Sequence, residues 1–167
     1  MCLILKDQRR VNPSVAKRDI TVMKIGYVEE GGRLFHPLYK SSFTYVRNEQ
    51  TPDEEVRIDT VRTWQSDGEV MPSKTASAGY HAYIDPEHAA DRRRQIGFQL
   101  FPEHDVRLTL GEFIIPAGSR YFIGDYGDIV ASAMTYIGEL PLGDGNQMEA
   151  KTKEVFEKMK KENKSLR

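Results

Sequence analysis

A histidine lies between two tyrosines in the segment Tyr80-His81-Ala82-Tyr83, a combination that suits two kinds of chemistry. Tyrosine rings can stack on a nucleotide base, and a histidine can act as a general acid or base near neutral pH. His81 is therefore a candidate catalytic residue, and Tyr80, His81 and Tyr83 are candidate ligand-binding residues. The alternative is a structural histidine that bonds to a neighbouring backbone group, with the tyrosines as packing residues.

A metal site is not predicted from these residues. His81 and His88 do not match the spacing of two ligands placed one helical turn apart. Cys2 is the one cysteine of the chain, so no cysteine pair can complete a zinc site. We expect no metal and no other cofactor.

Cys2 is a second candidate for catalysis. Removal of Met1 would leave its thiol beside a free α-amine, and that amine can act as the base because its reference pKa is near 8. The alternative is that Cys2 is a small, partly buried hydrophobic residue where a strand begins. Whether the chain is an enzyme stays open at this point.

Two carboxylates flank a glycine in the segment Gly124-Asp125-Tyr126-Gly127-Asp128. Asp125 and Asp128 could hold a cation or a ligand hydroxyl. A turn between strands is the simpler interpretation, because Gly and Asp supply the backbone angles and local hydrogen bonds that turns need. The spacing matches neither an EF-hand nor a phosphate-binding glycine loop.

The charged C-terminal segment, residues 147–167, has apolar residues at roughly helical spacing: Met148, Val155, Phe156 and Met159. An isolated helix of this length is marginal in water, so the stripe must pack against something. We expect docking on the chain's own domain. In the alternative, these four side chains bind a partner protein or a second copy of the chain.

The elements that position these residues are mostly strands. β-Branched and aromatic residues dominate residues 20–28, as in a strand packed on both faces. A Gly-containing stretch and a second extended run follow, which predicts a hairpin that ends at Pro37. The pattern over residues 129–137 favours one further strand, although a short helix is possible. A parity change at Gly111 predicts a bulge between two apolar registers.

One helix has agreeing signals at both ends. Asp85 can cap it, Pro86 suits its first position, and Gly97 can end it, with Arg92 to Arg94 in the last turn. Between these elements, residues 48–79 are the most polar part of the chain. There we predict one edge strand around Val56, Ile58 and Trp64, followed by a long loop.

Composition limits the class of protein. The chain has 167 residues, of which 39% are hydrophobic and 29% charged, with a net charge of -1. These values predict one globular domain. The elements described above make it an α+β domain, mostly antiparallel sheet with a short central helix and a C-terminal amphipathic helix. We place the core at 1–140, a linker at 141–146 and the terminal helix at 147–167. Nearly balanced charge gives no long-range attraction to nucleic acid.

The same composition predicts the compartment. A single cysteine allows no intrachain disulfide, and no apolar run approaches the roughly 20 residues that span a bilayer. We therefore expect a cytoplasmic protein with no membrane partner.

Several short motifs resemble a known group of proteins. In chain order they are Met1-Cys2-Leu3, Met23-Lys24-Ile25, Gly79-Tyr80-His81-Ala82-Tyr83, Ile115-Pro116-Ala117-Gly118-Ser119-Arg120-Tyr121 and Gly127-Asp128-Ile129-Val130-Ala131-Ser132. Over residues 1–140 the chain resembles small proteins of unknown function from bacteriophages and Bacteroides-type bacteria. The resemblance implies a phage-like context, with the host cytoplasm as the location, and brings no catalytic residues.

A fainter likeness is to ADP-ribosyltransferases, which hold NAD near a histidine and a tyrosine on short strands. That likeness would assign these roles to His81 and Tyr83, with Glu139 as the catalytic glutamate. Our leading hypothesis is instead a binding or interaction protein that acts on a host or virion protein. The alternative is a nucleotide-binding protein or an enzyme that uses His81 and Tyr83, or Cys2.

Overall fold

The computed structural model describes residues 3–38, 43–64, 66–100, 108–142 and 149–166. These residues form one α+β unit of antiparallel strands with a short central helix and a C-terminal helix, which confirms the predicted fold class. Among them, no helix combines the length and the apolar character needed to cross a lipid bilayer.

The larger sheet has nine strands and is antiparallel throughout. Its strands are β2 Ser14–Val15, β3 Ile20–Glu29, β4 Leu34–Pro37, β5 Tyr45–Val46, β8 Tyr80–Tyr83, β9 Thr109–Ile115, β10 Arg120–Ile123, β11 Asp128–Ala131 and β12 Thr135–Leu140. Seven of them lie side by side in the order β12-β9-β3-β8-β11-β10-β2, and β4 and β5 extend from β3. The predicted hairpin is confirmed: β3 pairs with β4 across the short 3₁₀ helix Glu30–Gly32.

Strand β3 is buried along most of its length because both faces of the sheet are covered. The same fact explains the parity change in β9. Leu110 packs on the helix-covered face, whereas Phe113 packs on the opposite, aromatic face. The bulge predicted at Gly111 is wrong, because β9 pairs with β3 in unbroken register there. The irregularity lies instead on the neighbouring β12, between Tyr136 and Gly138.

Phe35 is at the centre of the aromatic face. Its ring lies 5.1 Å from that of Phe113 and 5.4 Å from that of Tyr136. A Cβ atom placed on Gly26 or Gly111 would come within 2.8 Å and 2.7 Å of this ring. These two glycines therefore form the floor on which Phe35 packs, and the sheet tolerates them because the ring occupies the space above them.

The opposite face of the sheet carries both helices, α1 (Pro86–Leu100) and α2 (Ala150–Glu162). The predicted start of α1 is confirmed: Asp85 Oδ1 accepts hydrogen bonds from the backbone N–H groups of Glu87 and His88, at 3.0 and 3.4 Å. The predicted end is wrong. The helix continues past Gly97, so the arginines at 92–94 lie in its middle, where Arg93 Nε donates to the Leu108 carbonyl at 2.8 Å.

A second sheet of three strands has the order β1-β7-β6, with bounds β1 Leu3–Ile4, β6 Ile58–Trp64 and β7 Val70–Ala76. The long loop predicted after Trp64 is therefore wrong. Strand β7 occupies the middle of it and pairs with all seven residues of β6. The connection turns at Gly68, whose φ of 85° suits glycine, and Asp67 Oδ1 accepts the Glu69 N–H there.

The single strand predicted over residues 129–137 is also wrong, because the chain changes direction after β11. Two side chains fix this crossing through the backbone. Ser132 Oγ accepts the Arg120 N–H at 3.0 Å, and Thr51 Oγ1 accepts the Met134 N–H at 2.9 Å. The apolar pattern continues through the crossing because Ala133 and Met134 are themselves buried, so composition alone does not reveal the break.

The C-terminal helix packs against the chain's own core. Val155, Phe156 and Met159 are buried together with residues of β3, α1 and β9, whereas Met148 lies outside the described residues. The helix begins at Ala150 and passes into a 3₁₀ helix, Asn163–Leu166. Thr152 Oγ1 donates to the Pro141 carbonyl at 2.8 Å, which attaches the start of the helix to the end of the core.

Glu112 lies on the sheet face beneath α2, and this position predicts a pH-dependent contribution to stability. Burial raises the pKa of its carboxyl, against the opposing charges of Lys151 and Lys158. A raised folded-state pKa stabilises the fold at low pH, and this contribution is lost as the pH rises through that pKa. We expect Glu112→Gln to gain stability relative to the native chain between about pH 4 and pH 7.

Urea unfolding of both chains at the two pH values measures this difference. The exposed Glu149→Gln variant provides a matched loss of one carboxylate. If the advantage of Glu112→Gln shrank toward neutral pH, the lysines of α2 would outweigh burial at this position.

Candidate functional site

Tyr80 does not share a face of the sheet with His81 and Tyr83. Strand β8 alternates, so Tyr80 points into the aromatic face while His81 and Tyr83 belong to the other face. Tyr80 is 3% exposed, and its hydroxyl donates to the Pro52 carbonyl at 2.8 Å. This arrangement favours a packing role for Tyr80 over a stacking platform.

The likeness to ADP-ribosyltransferases requires a glutamate near His81 and Tyr83. Glu139 lies on β12, and three strand spacings separate β12 from β8 in the sheet. At about 4.8 Å per spacing, the two strands are roughly 14 Å apart. His81, Tyr83 and Glu139 are therefore too far apart to form the site that the ADP-ribosyltransferase hypothesis requires.

Tyr83, His88 and Asp128 do come together where β8 leads into α1. The rings of Tyr83 and His88 lie 5.7 Å apart. Burial raises the pKa of Asp128, and its hydrogen bonds with the backbone and the nearby His88 act in the opposite direction. Asp128 Oδ1 accepts the Tyr126 N–H at 3.3 Å, as in a turn.

Asp125 is exposed and belongs to the same turn, so the structure favours the turn interpretation of this segment. In the part of the chain that the structure describes, no group of three or more His, Cys, Asp or Glu residues is arranged to hold a metal ion. Cys2 lies outside the described residues.

Lys24 is a buried cation that sequence reasoning did not single out. Its side chain points into the aromatic face, where Nζ donates to the His81 carbonyl and lies 5.3 Å from the centre of the Tyr45 ring. Burial raises the pKa of Tyr45, so that phenol stays neutral. The aromatic rings and the carbonyl dipole together hold the ammonium in the core.

A cavity of about 480 Å³ lies elsewhere, where the N-terminal segment, strand β10 and the C-terminal 3₁₀ helix meet. Its apolar wall includes Tyr121 from β10 and Leu166 from the 3₁₀ helix. Its polar wall comes from the turn at residues 6–10. The volume lies within the range of small-molecule sites, and the lining is more polar than apolar.

The polar wall of the cavity is positively charged. Lys6, Arg9 and Arg10 line it, against the single carboxylate of Asp7. That carboxylate is partly engaged by Arg9, whose Nε lies 3.6 Å from Asp7 Oδ1. The local excess of positive charge contrasts with a net charge of -1 for the whole chain, so it is a property of this site.

Gln8 fixes the basic turn to the small sheet. Its amide Nε2 donates to the Lys74 carbonyl at 3.1 Å and to the Leu5 carbonyl at 2.8 Å, and its Oε1 accepts the Lys74 N–H at 2.6 Å. The Lys6 N–H donates to the Ile123 carbonyl at 3.1 Å, which ties the same turn to β10. The backbone that carries Lys6, Arg9 and Arg10 is thus hydrogen-bonded to both sheets.

The opposite wall is fixed by Asn163. Its Nδ2 donates to the Thr21 carbonyl at 2.8 Å and to the Ile84 carbonyl at 3.1 Å, and the side chain is fully buried. Arg18 Nη2 donates to the Glu162 carbonyl, which adds a second tie between the N-terminal segment and the end of α2. These contacts hold Leu166 and Ser165 against the cavity.

None of the protein families, curated proteins and solved structures compared with the chain matches it. The resemblance to phage and Bacteroides-type proteins and the fainter one to ADP-ribosyltransferases therefore stay predictions. The fold and the site together define an α+β protein with a basic, partly apolar cavity.

Proposed function

We propose that the protein binds a small anionic ligand with a planar or apolar body in the cavity between residues 5–14, β10 and the C-terminal 3₁₀ helix. The observation that carries this proposal is the grouping of Lys6, Arg9 and Arg10 on one wall of a 480 Å³ cavity. Clustered cations favour phosphate or carboxylate groups, and arginine can bind either one through two parallel hydrogen bonds.

The opposite wall of the cavity suits the planar or apolar body of the ligand. Tyr121 and Leu166 offer an aromatic ring and an aliphatic surface within the same cavity. A ligand with a ring and a charged group would place the ring there and the charge at the basic turn. Nucleotides have this chemistry and a suitable size. We therefore place nucleotide binding at this cavity and not at His81 and Tyr83.

The hypothesis of an interaction through the C-terminal helix receives less support. Val155, Phe156 and Met159 are buried in the core, so a partner could reach them only if α2 detached. Binding in the cavity requires no such opening.

Removing two of the cations should weaken binding of a nucleotide. We expect the double variant Lys6→Ala with Arg10→Ala to bind AMP about tenfold more weakly than the native chain, because two exposed charge contacts of modest strength are lost. Isothermal titration calorimetry at low ionic strength measures the affinity. The exposed Lys153→Ala variant removes a cation that does not line the cavity and should leave the affinity unchanged.

Adenosine and inorganic phosphate separate the two halves of the ligand. Both should bind more weakly than AMP, and AMP binding should weaken as salt is added. If millimolar AMP gave no heat with the native chain, or if the double variant bound it as well as Lys153→Ala does, the proposed site would be wrong.

A further inference from the structure

The hairpin of β6 and β7 projects beyond the core as an arm. Near its base, Ala76 and Thr75 are buried, whereas toward the tip the side chains become exposed. Trp64 is 78% exposed and Met71 51% exposed. A tryptophan and a methionine held at the end of a regular hairpin make an unusual surface, since large apolar side chains of this kind are enriched in protein interfaces.

Exposed apolar side chains lie on both faces of the arm. Trp64 stands directly opposite Val70 on one face, and Val61 lies on the other face together with Met71. A partner packed against one face would leave the other in water. A strand added to the edge of the arm would instead provide neighbours for both faces at once.

Strand β6 offers such an edge. Among the described strands it is the last of its sheet, with β7 on one side and no strand on the other. An edge strand presents backbone donors and acceptors that another strand can pair with. All seven of its residues are in regular register with β7, so no bulge turns the edge away.

We propose that two copies of the chain pair through their β6 edges, antiparallel about a two-fold axis at Val61. The three-stranded sheets then form one six-stranded sheet across the dimer. Val61 then lies opposite Val61 of the second copy. Thr60 lies opposite Arg62 of the second copy, and Ile58 lies opposite Trp64 of the second copy. This inference is independent of the ligand proposed for the cavity.

The charges along β6 select this register over its neighbours. A two-fold axis at Arg62 would set two guanidinium groups opposite each other, and one at Asp59 would do the same with two carboxylates. An axis at Thr60 would place Ile58 against Arg62 of the second copy. The register at Val61 avoids like charges and covers the exposed Trp64 with an aliphatic partner.

A charge exchange at the axis tests both the dimer and its register. Sedimentation velocity from about 1 to about 500 μM should show the native chain as a concentration-dependent dimer. Val61→Lys and Val61→Glu should each dimerise about tenfold more weakly, because like charges meet on the axis. An equimolar mixture of the two variants should recover the dimer, since lysine then faces glutamate.

Val61 is partly exposed, so both variants should fold, and circular dichroism melts check this. Val11→Lys places the same charge on an exposed valine outside the arm and should leave the dimer intact. A native chain that stays monomeric throughout this concentration range would overturn the proposal. The edge of the arm would then be open to pairing with a strand of another protein. A dimer indifferent to both Val61 variants, or a mixture that fails to recover, would overturn it equally.

Discussion

Replacing Phe35 by alanine is expected to lower the free energy of unfolding by about 3–5 kcal/mol, the range for a fully buried aromatic side chain. Phe35 is completely buried and contacts the rings of Tyr45, Phe113 and Tyr136. The cavity left by the ring could not collapse easily, because the glycines beneath it have no side chains with which to fill the space. We therefore expect a loss near the upper end of the range.

Equilibrium unfolding in urea measures this loss. Tyr126→Ala serves as the control, because that ring is 66% exposed and its removal should change the free energy of unfolding by less than about 0.5 kcal/mol. A Phe35→Ala variant as stable as Tyr126→Ala would mean that the aromatic face is not the packed interior described above.

Replacing Asn163 by alanine is expected to cost about 2 kcal/mol of stability. The substitution removes two hydrogen bonds and leaves the carbonyls of Thr21 and Ile84 without these donors, each at about 1–3 kcal/mol. Part of this cost is offset, because Asn163 Oδ1 is itself buried and has no partner among the described residues. The net loss is therefore smaller than the sum of the two bonds.

Asn163→Ala should also weaken AMP binding, because Asn163 anchors the 3₁₀ helix that forms one wall of the cavity. The neighbouring Lys164→Ala, at an exposed position, should change neither property. Urea unfolding and calorimetry on the same preparations distinguish the two effects. A variant that lost stability but kept full affinity would show that the tail does not shape the site.

The parts of the fold that sequence patterns predicted are those set by local chemistry. The start of α1 follows from Asp85 and Pro86, which act within one turn of the helix. Strand β3 follows from a run dominated by β-branched residues, which needs cover on both sides. Burial on both faces also explains why the pattern of β9 was misread as a bulge. Alternation is expected of a strand with one buried face, whereas Leu110 and Phe113 belong to cores on opposite faces of the sheet.

The second strand of the arm, β7, was missed because its pattern is polar. Strand β6 matches the edge strand predicted around Val56, Ile58 and Trp64, although Val56 lies before its first residue. The side chains of β7 are exposed from Val70 to Pro72 and mainly polar beyond, so this strand lacks the apolar alternation that usually marks a strand. The local signal was nevertheless present. Asp67-Gly68 between two β-branched runs is a hairpin signature, and weighting the turn above the composition would have predicted β7.

The candidate site could not be predicted because its walls come from distant parts of the chain. Lys6, Arg9 and Arg10 meet Tyr121 and Leu166 only through the sheet topology and the docking of the tail. In the sequence, the three cations are a short basic stretch near the N-terminus, with nothing to mark them as a cavity wall. Residues chosen for their types, such as His81 and Tyr80, instead fall on opposite faces of one strand.

The most direct test of the cavity as a ligand site is a titration of the ¹⁵N-labelled chain with AMP, followed by backbone amide chemical shifts. We expect the largest changes at residues 5–14, at 121–123 and at 165–166, which surround the cavity. Changes concentrated at His81, Tyr83 and Asp128, or none at millimolar AMP, would contradict the account.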